Sequence, residues 1–329
     1  MSNFDVCGIG NAIVDVLVHT EDQFLKEFNL VKGSMKLISM EEANFFHDRI
    51  QGGKEVSGGS AANTMAGISA FGGKACFMGK VADDNLGHSF SKDIKSIGVE
   101  FLNDPIISND ATARCYIFVT DDGERTMNTF LGASVDFSEI DIQSELIERS
   151  KITYLEGYLW DKPSAKNAFL KASRIAKLAG KTVALTLSDS FCVDRHRDSF
   201  KELIKNDVDV LFANESEIKS LYEVTDIFEA AKRLANYCKL SFLTRSEKGS
   251  LIIFNGTSHS VPAHKVEKLI DTTGSGDLYA AGVLFGLSQD LELTRCAELG
   301  SFAASLIIEQ LGARSQLNLQ SIAVERGLL

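Results

Sequence analysis

The chain has 329 residues, of which 44% are hydrophobic and 24% are charged, and its formal net charge is −11 at pH 7. This balance is typical of a globular protein and argues against wholesale disorder. Duplex DNA and anionic membranes both require a cationic face, so an acidic chain predicts neither a nucleic-acid partner nor a membrane partner. An anionic substrate is still possible, because a local nest of backbone N–H groups can hold a phosphate.

The six cysteines form no Cys-x-x-Cys pair. This pattern is typical of small buried hydrophobic residues in a reducing compartment. The N-terminus has no basic leader region and no apolar run approaches 18 residues, so we expect a cytoplasmic protein.

The first half of the chain mixes short apolar strands with glycine-rich turns. In chain order, the predicted elements are strands at 4–10, 12–18 and 35–38, a helix that opens after Ser57 and ends at Gly72, a strand at 75–78, a helix at 85–97, and strands at 113–120 and 125–130. The last two strands flank Asp121-Asp122-Gly123-Glu124, which is a hairpin signal.

The second half alternates strands and helices regularly. The predicted strands are 152–155, 183–187, 208–212, 241–244 and 251–254, and the predicted helices are 164–179, 198–205, 215–222, 228–238, 278–287 and 293–311. This alternation predicts an α/β fold with a parallel sheet covered on both faces. Residues 12–54 and 105–136 do not follow it, and we predict that they form a small β-sheet lid on a core of residues 1–11, 55–104 and 137–329.

The most specific motif is Asp271-Thr272-Thr273-Gly274-Ser275-Gly276-Asp277, which leads into an apolar helix. Successive N–H groups of Gly274, Ser275 and Gly276 can face one oxyanion, and the helix dipole adds positive potential there. Asp277, in the first turn, could take a proton from a hydroxyl that attacks a phosphoryl group. The alternative is an aspartate that only stabilises the helix dipole.

Three further polar groups are candidates for binding. Gly58-Gly59 permits a close backbone approach, and Ser60 and Asn63 follow at a helix start, where a plain N-cap is the alternative. Asn11 and Asp15 are four residues apart in a predicted strand, where both would share one face and could bind vicinal hydroxyls of a sugar. A turn asparagine and a strand-edge aspartate are the alternative there.

The third group, Asn214-Glu215-Ser216-Glu217, follows a predicted strand, and parallel sheets bind ligands at the carboxyl ends of their strands. Carboxylates at that edge suit Mg²⁺, often through water. Favourable acids at a helix N-terminus are the alternative. The chain has no Walker A loop, and its Gly8-x-Gly10 lacks the third glycine of the dinucleotide fingerprint.

Two long segments together resemble one family. DTTGSGDLYAAG (271–282) resembles the C-terminal signature of the ribokinase-like (PfkB) carbohydrate kinases, and GGSAANTMAGISAFGGKACFMGKVADDNLG (58–87) resembles their N-terminal signature. GNAIVD (10–15), VDVLFANESE (208–217) and AASLII (303–308) are similar to the adenosine kinase branch. The resemblance covers nearly the whole chain in the family's order.

The resemblance implies a ribokinase-like three-layer sandwich with a β-sheet lid that closes over the substrate, and ATP-dependent phosphorylation of an alcohol, most simply the 5′-hydroxyl of adenosine. Asp277 would be the general base and Gly274, Ser275 and Gly276 the anion hole, with Arg125 reaching the transferred phosphate. The ribose would be held by Asn11, Asp15, Gly59, Ser60 and Asn63, and the nucleobase would be walled by Leu131, Ala133 and Phe191.

For the phosphate donor, the resemblance implies ATP near Asn214, Thr244, Gly274 and Gly276, with Mg²⁺ held by Glu217 through water. Asp271, Thr273 and Gly312 match positions that hold a monovalent cation such as K⁺ in many members. Family members often have glycine where this chain has Ser246, and a serine fits easily only if its φ is negative.

The sequence is compatible with three hypotheses about the function of the acceptor site. The first is a nucleoside kinase, the second is a kinase of a free sugar such as ribose or fructose, and the third is a nucleoside-binding sensor without catalysis. The intact Asp277 and its glycines count against the sensor. A monomer and a homodimer are both compatible with the sequence.

Overall fold

The computed structural model describes residues 3–50, 53–107, 110–315 and 317–329. Within these ranges the strands are β1 (Phe4–Ile9), β2 (Ile13–His19), β3 (Met35–Leu37), β4 (Lys54–Gly58), β5 (Ala75–Met78), β6 (Val99–Phe101), β7 (Ala113–Val119), β8 (Arg125–Phe130), β9 (Ser150–Glu156), β10 (Thr182–Thr186), β11 (Val210–Asn214), β12 (Leu240–Thr244), β13 (Ser250–Phe254) and β14 (Thr257–Val261). The α-helices are α1 (Asp22–Glu27), α2 (Met40–Arg49), α3 (Ser60–Ala70), α4 (Asn85–Ser96), α5 (Ser144–Glu148), α6 (Pro163–Leu178), α7 (Ser190–Asp207), α8 (Glu215–Tyr222), α9 (Ile227–Leu234), α10 (Ser275–Ser288), α11 (Leu293–Ile308) and α12 (Leu319–Glu325).

The central sheet of the described chain has the strand order β14-β13-β12-β11-β10-β9-β1-β5-β6. Its strands pair in parallel from β12 to β6, and β13 and β14 extend it in antiparallel fashion. The short apolar runs that predicted these strands are those of a sheet buried on both faces. The predicted α/β architecture is confirmed.

Adjacent residues of the central strands enter opposite cores. Val6 and Phe212 join one core, which includes α3 and α10, whereas Cys7 and Leu211 join the other, which includes α6 and α7. Helix α10 is apolar around nearly its whole circumference and is buried from Leu278 to Gly286. Such a helix belongs inside a core rather than on a surface.

A smaller sheet has the order β3-β8-β7-β2-β4. The predicted hairpin is its β7–β8 pair, with Val119 opposite Arg125. One face of this sheet packs on the aromatic rings of α1 and α2, through Tyr116 and Phe118 of β7. The other face carries Ile13, Leu17, Cys115, Ile117, Val119 and Met127. We call this second sheet the lid sheet. Strand β4 crosses the predicted boundary at residue 54, and the domain division remains a prediction.

Several element bounds differ from the sequence prediction. Helix α7 begins eight residues before the predicted 198, because Asp189 caps it by accepting a hydrogen bond from the Cys192 N–H at 2.5 Å. His196 interrupts it with φ −127°. Helix α11 ends at Ile308, before the predicted 311. No helix of the described ranges is long and apolar enough to cross a membrane.

Candidate active site

A cavity of about 1360 Å³ lies where the lid sheet faces the carboxyl edge of the central sheet. Its walls include Glu156 at the end of β9, Asn214 at the end of β11 and Thr244 at the end of β12, together with the first turns of α3 and α10. Sites at the carboxyl ends of parallel strands are the general rule for open α/β sheets. The fold therefore brings the sequence motifs to one place.

Helix α10 points its N-terminus into this cavity. Its N-cap, Gly274, has φ +77°, and a Cβ there would lie 2.7 Å from Ala313. The N–H of Ser275 donates to the Thr272 carbonyl at 3.2 Å, whereas those of Gly276 and Asp277 belong to the first helical turn, which has no acceptor within the helix. These groups and the helix dipole favour an anion at this end.

The carboxylate of Asp277 is held by two donors from α3. Ser60 Oγ donates to one oxygen at 2.7 Å, and Asn63 Nδ2 donates to the other at 3.1 Å. Burial raises the pKa of Asp277 to about 6, while the two hydrogen bonds and the nearby Arg314 oppose that rise. A carboxylate with this pKa is mostly ionised at neutral pH yet more basic than an exposed one, as a general base requires.

The glycine pair before α3 allows two main-chain segments to touch. Gly59 has φ +98°, and a Cβ on it would lie 2.1 Å from the carbonyl oxygen of Asn11. No side chain fits there, so the turn between β1 and β2 lies directly against the start of α3. Asn11 itself lies in that turn and not on a strand, so the prediction that it shares one strand face with Asp15 is wrong.

Glu156 orients Asn11. The main-chain N–H and the Nδ2 of Asn11 donate to Glu156 Oε1 at 3.2 and 2.9 Å, and the Ala61 N–H donates to Oε2 at 2.8 Å. Burial raises the pKa of Glu156 to about 7. Asn11 Oδ1 is buried and has no hydrogen-bond partner in the described structure. It is therefore an acceptor available to a ligand hydroxyl, as the polyol interpretation requires.

Asp15 reaches the same cavity from β2. Burial raises its pKa to about 6, Arg314 and Arg125 lower it, and Asp277 raises it. Two carboxylates that interact through space thus line one pocket together with Asn11 and Asn63. This is a set of acceptors and amides suited to adjacent hydroxyls.

Asn214 and Glu217 form a capping box at the start of α8. Asn214 Oδ1 accepts from the Glu217 N–H at 2.9 Å, and Glu217 accepts from the N–H and Nδ2 of Asn214 at 2.9 and 2.5 Å. Burial raises the pKa of Glu217 to about 7, and the charge of Asp189 adds to the rise. Asn214 and Glu217 therefore do cap a helix, as the alternative interpretation predicted. Their side chains and that of Asp189 also line the cavity. Among the described residues no three metal-ligating side chains cluster in a preformed site.

Most of the residues predicted for the site line the cavity. They are Asn11, Asp15, Gly59, Ser60, Asn63, Leu131, Phe191, Asn214, Glu217, Thr244, Thr273, Gly274, Ser275, Gly276 and Asp277. Four others lie outside its lining: Arg125, Ala133, Asp271 and Gly312. Ala133 is fully buried, so a nucleobase in this conformation would not touch it.

Arg125 forms a buried ion pair with Asp271, which also accepts from the N–H groups of Thr273 and Gly312, each at 2.9 Å. Burial raises the pKa of Asp271, but these hydrogen bonds together with Arg125 hold it below its usual value. The side chain of Asp271 therefore ties the lid strand β8 to the loop before α10.

Ser246 adopts a positive φ, the conformation into which a serine was predicted to fit poorly. Its φ is +52°, in the left-handed region, and it lines the cavity beyond Thr244. A serine accordingly occupies a position that favours glycine.

Sequence reasoning missed Glu156, Arg314 and much of the apolar lid wall. Glu156 could have been found, because it directly follows a predicted buried strand and charged residues at that edge are site candidates. Arg314 follows the last predicted long helix in no recognisable pattern. The lid wall is formed by Ile13, Met35, Leu37, Ile117 and Met127. Predicting it requires knowing which face of each strand turns toward the cavity.

Comparisons with known proteins point in one direction. A family model described as pfkB family carbohydrate kinase matches residues 26–319. The solved structure of an adenosine kinase from Sinorhizobium meliloti is 46% identical, has a TM-score of 0.91 and covers 99% of this chain and 100% of that one. A probable sugar kinase from Rhizobium etli CFN 42 is 44% identical, with a TM-score of 0.92 and full coverage of both chains. The adenosine kinase of Saccharomyces cerevisiae is 24% identical over 327 residues, which cover 92% of this chain and 94% of that protein.

Proposed function

The chain belongs to the pfkB family of carbohydrate kinases, and we propose that it transfers the γ-phosphoryl group of ATP to the 5′-hydroxyl of adenosine, giving AMP and ADP. The Sinorhizobium meliloti protein, named an adenosine kinase, supports this choice of acceptor. The observation that carries the proposal is the composition of the cavity wall.

That wall combines hydroxyl-binding groups with an apolar lid face. Asn11 and Asp15 supply acceptors, while Ile117 and Met127 of the lid sheet line the same cavity. A free sugar is polar all round and gains little from an apolar wall, whereas a nucleobase gains from burying its flat face. The volume also exceeds that of a typical single-ligand pocket, about 300–1,000 Å³, so two ligands can share it.

In the proposed reaction, Asp277 removes the proton of the acceptor hydroxyl as its oxygen attacks the γ-phosphorus. The new O–P bond forms while the bond to the ADP oxygen breaks, and the proton passes from Asp277 to solvent. The N–H groups of Gly274 and Gly276 and the α10 dipole would stabilise charge on the transferred group, whereas the predicted Ser275 N–H already donates to the Thr272 carbonyl. Arg125 would reach that phosphate only after leaving Asp271.

Two cations enter as proposals. Mg²⁺, which would neutralise phosphate charge, fits the buried carboxylate of Glu217, because Asp189 adds a second negative charge beside it and carboxylates bind this ion through water. For K⁺ we propose the loop of Asp271, Thr273 and Gly312, with main-chain carbonyls as its ligands. Replacing KCl with choline chloride at constant ionic strength tests whether turnover depends on K⁺.

A specific observation favours one alternative, a kinase of a free sugar: the Rhizobium etli protein, 44% identical, is described as a probable sugar kinase. In that case the same Asp277 chemistry would act on ribose or fructose. The lid wall would then contact no base, and substitutions there would leave turnover nearly unchanged.

An ADP-coupled assay with Mg²⁺ separates these proposals by comparing adenosine, inosine, guanosine, ribose and fructose. We expect selective turnover of adenosine and a loss of about 10²–10⁴-fold in kcat for Asp277→Asn with acceptor binding retained. Asp198→Asn is the matched control, because that side chain is 99% exposed. Turnover of a free sugar alone would replace the nucleoside proposal, and nucleoside binding without turnover would favour a sensor.

A further inference from the structure

Arg314 lies in the loop after α11 and joins three elements beneath the cavity. Its Nε donates to Asn63 Oδ1 at 3.0 Å, and its Nη1 donates to Ser57 Oγ at 2.5 Å and to Asp93 Oδ2 at 3.3 Å. It therefore connects α3, β4 and α4. It is absent from the cavity lining, so it acts on a ligand only through other residues.

The contact with Asn63 fixes which end of that amide faces Asp277. A guanidinium carries only donors, so the Asn63 oxygen must face Arg314 and the NH₂ group must face the other way. That NH₂ group donates to Asp277 Oδ2 at 3.1 Å. If the amide turned over, its oxygen would face the carboxylate, which would favour a protonated Asp277.

The charges around these groups act in the same direction. Arg314 is faced by Asp93 of α4, Asp15 of β2 and Asp277 of α10. Asp277 also interacts with Asp15, with Glu156 and Tyr154 of β9, and with Tyr158 just after that strand. Arg314 offsets this negative surrounding. Burial lowers its pKa to about 10, so it remains charged at neutral pH.

We propose that Arg314 is a positioning residue for phosphoryl transfer: it orients the Asn63 amide toward Asp277 and keeps the Asp277 carboxylate ionised. This inference rests on the proposed function, because it assigns Asp277 the role of base. Its signature is a change in the pH dependence of turnover rather than a uniform loss of activity.

The test compares the pH profiles of kcat for the wild type, Arg314→Met and Arg314→Lys, with the acceptor that the wild type turns over. For Arg314→Met we expect the acidic limb to move up by about one pH unit, which, with the Asp277 pKa at about 6 in the wild type, is about a fivefold loss at pH 6 that is largely recovered at pH 9. Arg314→Lys keeps the charge but not the three-way contact, so its limb should shift by less. Arg233→Met is the control, since Arg233 pairs with Glu229 on the surface.

An unchanged acidic limb in a folded Arg314 variant would overturn the inference, as would an equal loss at all pH values. Arg314→Lys keeps the test decisive if Arg314→Met does not fold. A ¹³C NMR titration of the aspartate carboxyls, assigned with Asp277→Asn, gives the pKa of Asp277 without turnover. A raised pKa in Arg314→Lys supports the inference even if no tested acceptor is phosphorylated, an outcome that would refute only the proposed function.

Discussion

The side chain of Asn11 uses its amide NH₂ on Glu156 and leaves its buried oxygen without a partner in the described structure. An acceptor hydroxyl can supply the missing donor, and a second hydroxyl can donate to Asp15. Glu156 prevents the Asn11 amide from turning over, so we expect it to act on a bound acceptor indirectly. Asn11 and Asp15 together form the proposed acceptor clamp, which requires hydrogen-bond donors on the ligand.

Replacing these groups should weaken acceptor binding selectively. We expect Asn11→Ala to raise the acceptor KM about tenfold, and Asp15→Ala to raise it up to about a hundredfold, because a hydrogen bond to a charged group is stronger. The KM for ATP should change little in both. Steady-state kinetics with each substrate varied in turn measures this, and an unchanged acceptor KM in both variants would remove the clamp.

From the sequence alone, a serine at position 246 with positive φ would be expected to weaken ATP binding. The structure leads to a different prediction. A non-glycine residue at φ +52° is strained, but the strain is already present without ATP, so ATP binding need not add to it. We expect Ser246→Gly to leave the KM for ATP within about twofold. Ser246→Val should lower the melting temperature, because β-branched residues tolerate positive φ least.

The control is Ser258→Val. Ser258 lies on the exposed edge strand β14, where valine is favourable. A large fall in the KM for ATP in Ser246→Gly would show instead that the serine strains the bound state more than the free one.

Residue patterns predicted the site only where chemistry and local structure coincide. Asp277 and its glycines stand at the start of an apolar helix, so one segment predicts their position and gives their proposed role. Arg314 acts through contacts with Ser57, Asn63 and Asp93, which are distant in the sequence. No local pattern carries that information, because the contacts exist only after the chain has folded.

Among the elements, most buried strands of the central sheet were predicted, apart from the short β6, and the polar edge strand β4 was not. Strand β9 is buried at every residue after Lys151, as a doubly covered strand must be. Strand β4, with the sequence KEVSG, is exposed at its start and pairs only with β2 at an edge. Its polar residues resemble a loop, so the sheet partner, rather than intrinsic preference, determines its structure.

The link between the lid and the loop before α10 depends on the Arg125–Asp271 ion pair. Removing one partner of a buried pair leaves the other charge unpaired, which costs about 3–5 kcal/mol. We therefore expect Asp271→Asn to lower the free energy of unfolding by about 3 kcal/mol, measured by urea denaturation, and to reduce turnover.

The comparison is Glu229→Gln, which breaks the Arg233 pair between two half-exposed side chains. Such surface pairs contribute about 0–1 kcal/mol. If both variants lost the same small amount of stability, the Arg125–Asp271 pair would not hold the lid to the core.

For the whole molecule, the carboxylates around the cavity couple stability to pH. Burial raises the pKa of Asp15 and Asp277 to about 6 and that of Glu156 and Glu217 to about 7. A raised pKa means that the folded protein binds the proton more tightly than the unfolded chain does. The stabilisation is therefore complete below the unfolded pKa, about 4, and is lost as the pH rises through 6 to 7.

We accordingly expect the melting temperature of the ligand-free protein to fall between pH 5.5 and pH 8, as these buried groups ionise. Asp277→Asn removes one such charge, so it should melt above the wild type at pH 8 and show a smaller difference at pH 5.5, although we expect it to lose most turnover. Asp198→Asn, with its 99% exposed side chain, should differ little from the wild type at both values. Scanning calorimetry of the three proteins measures this.

A wild type that becomes more stable toward pH 8, or an Asp277→Asn variant that melts lower there, would mean that ionisation of the cavity carboxylates does not destabilise the fold. The expected result would instead mean that this protein gives up stability at working pH to keep its base charged, as active sites commonly do.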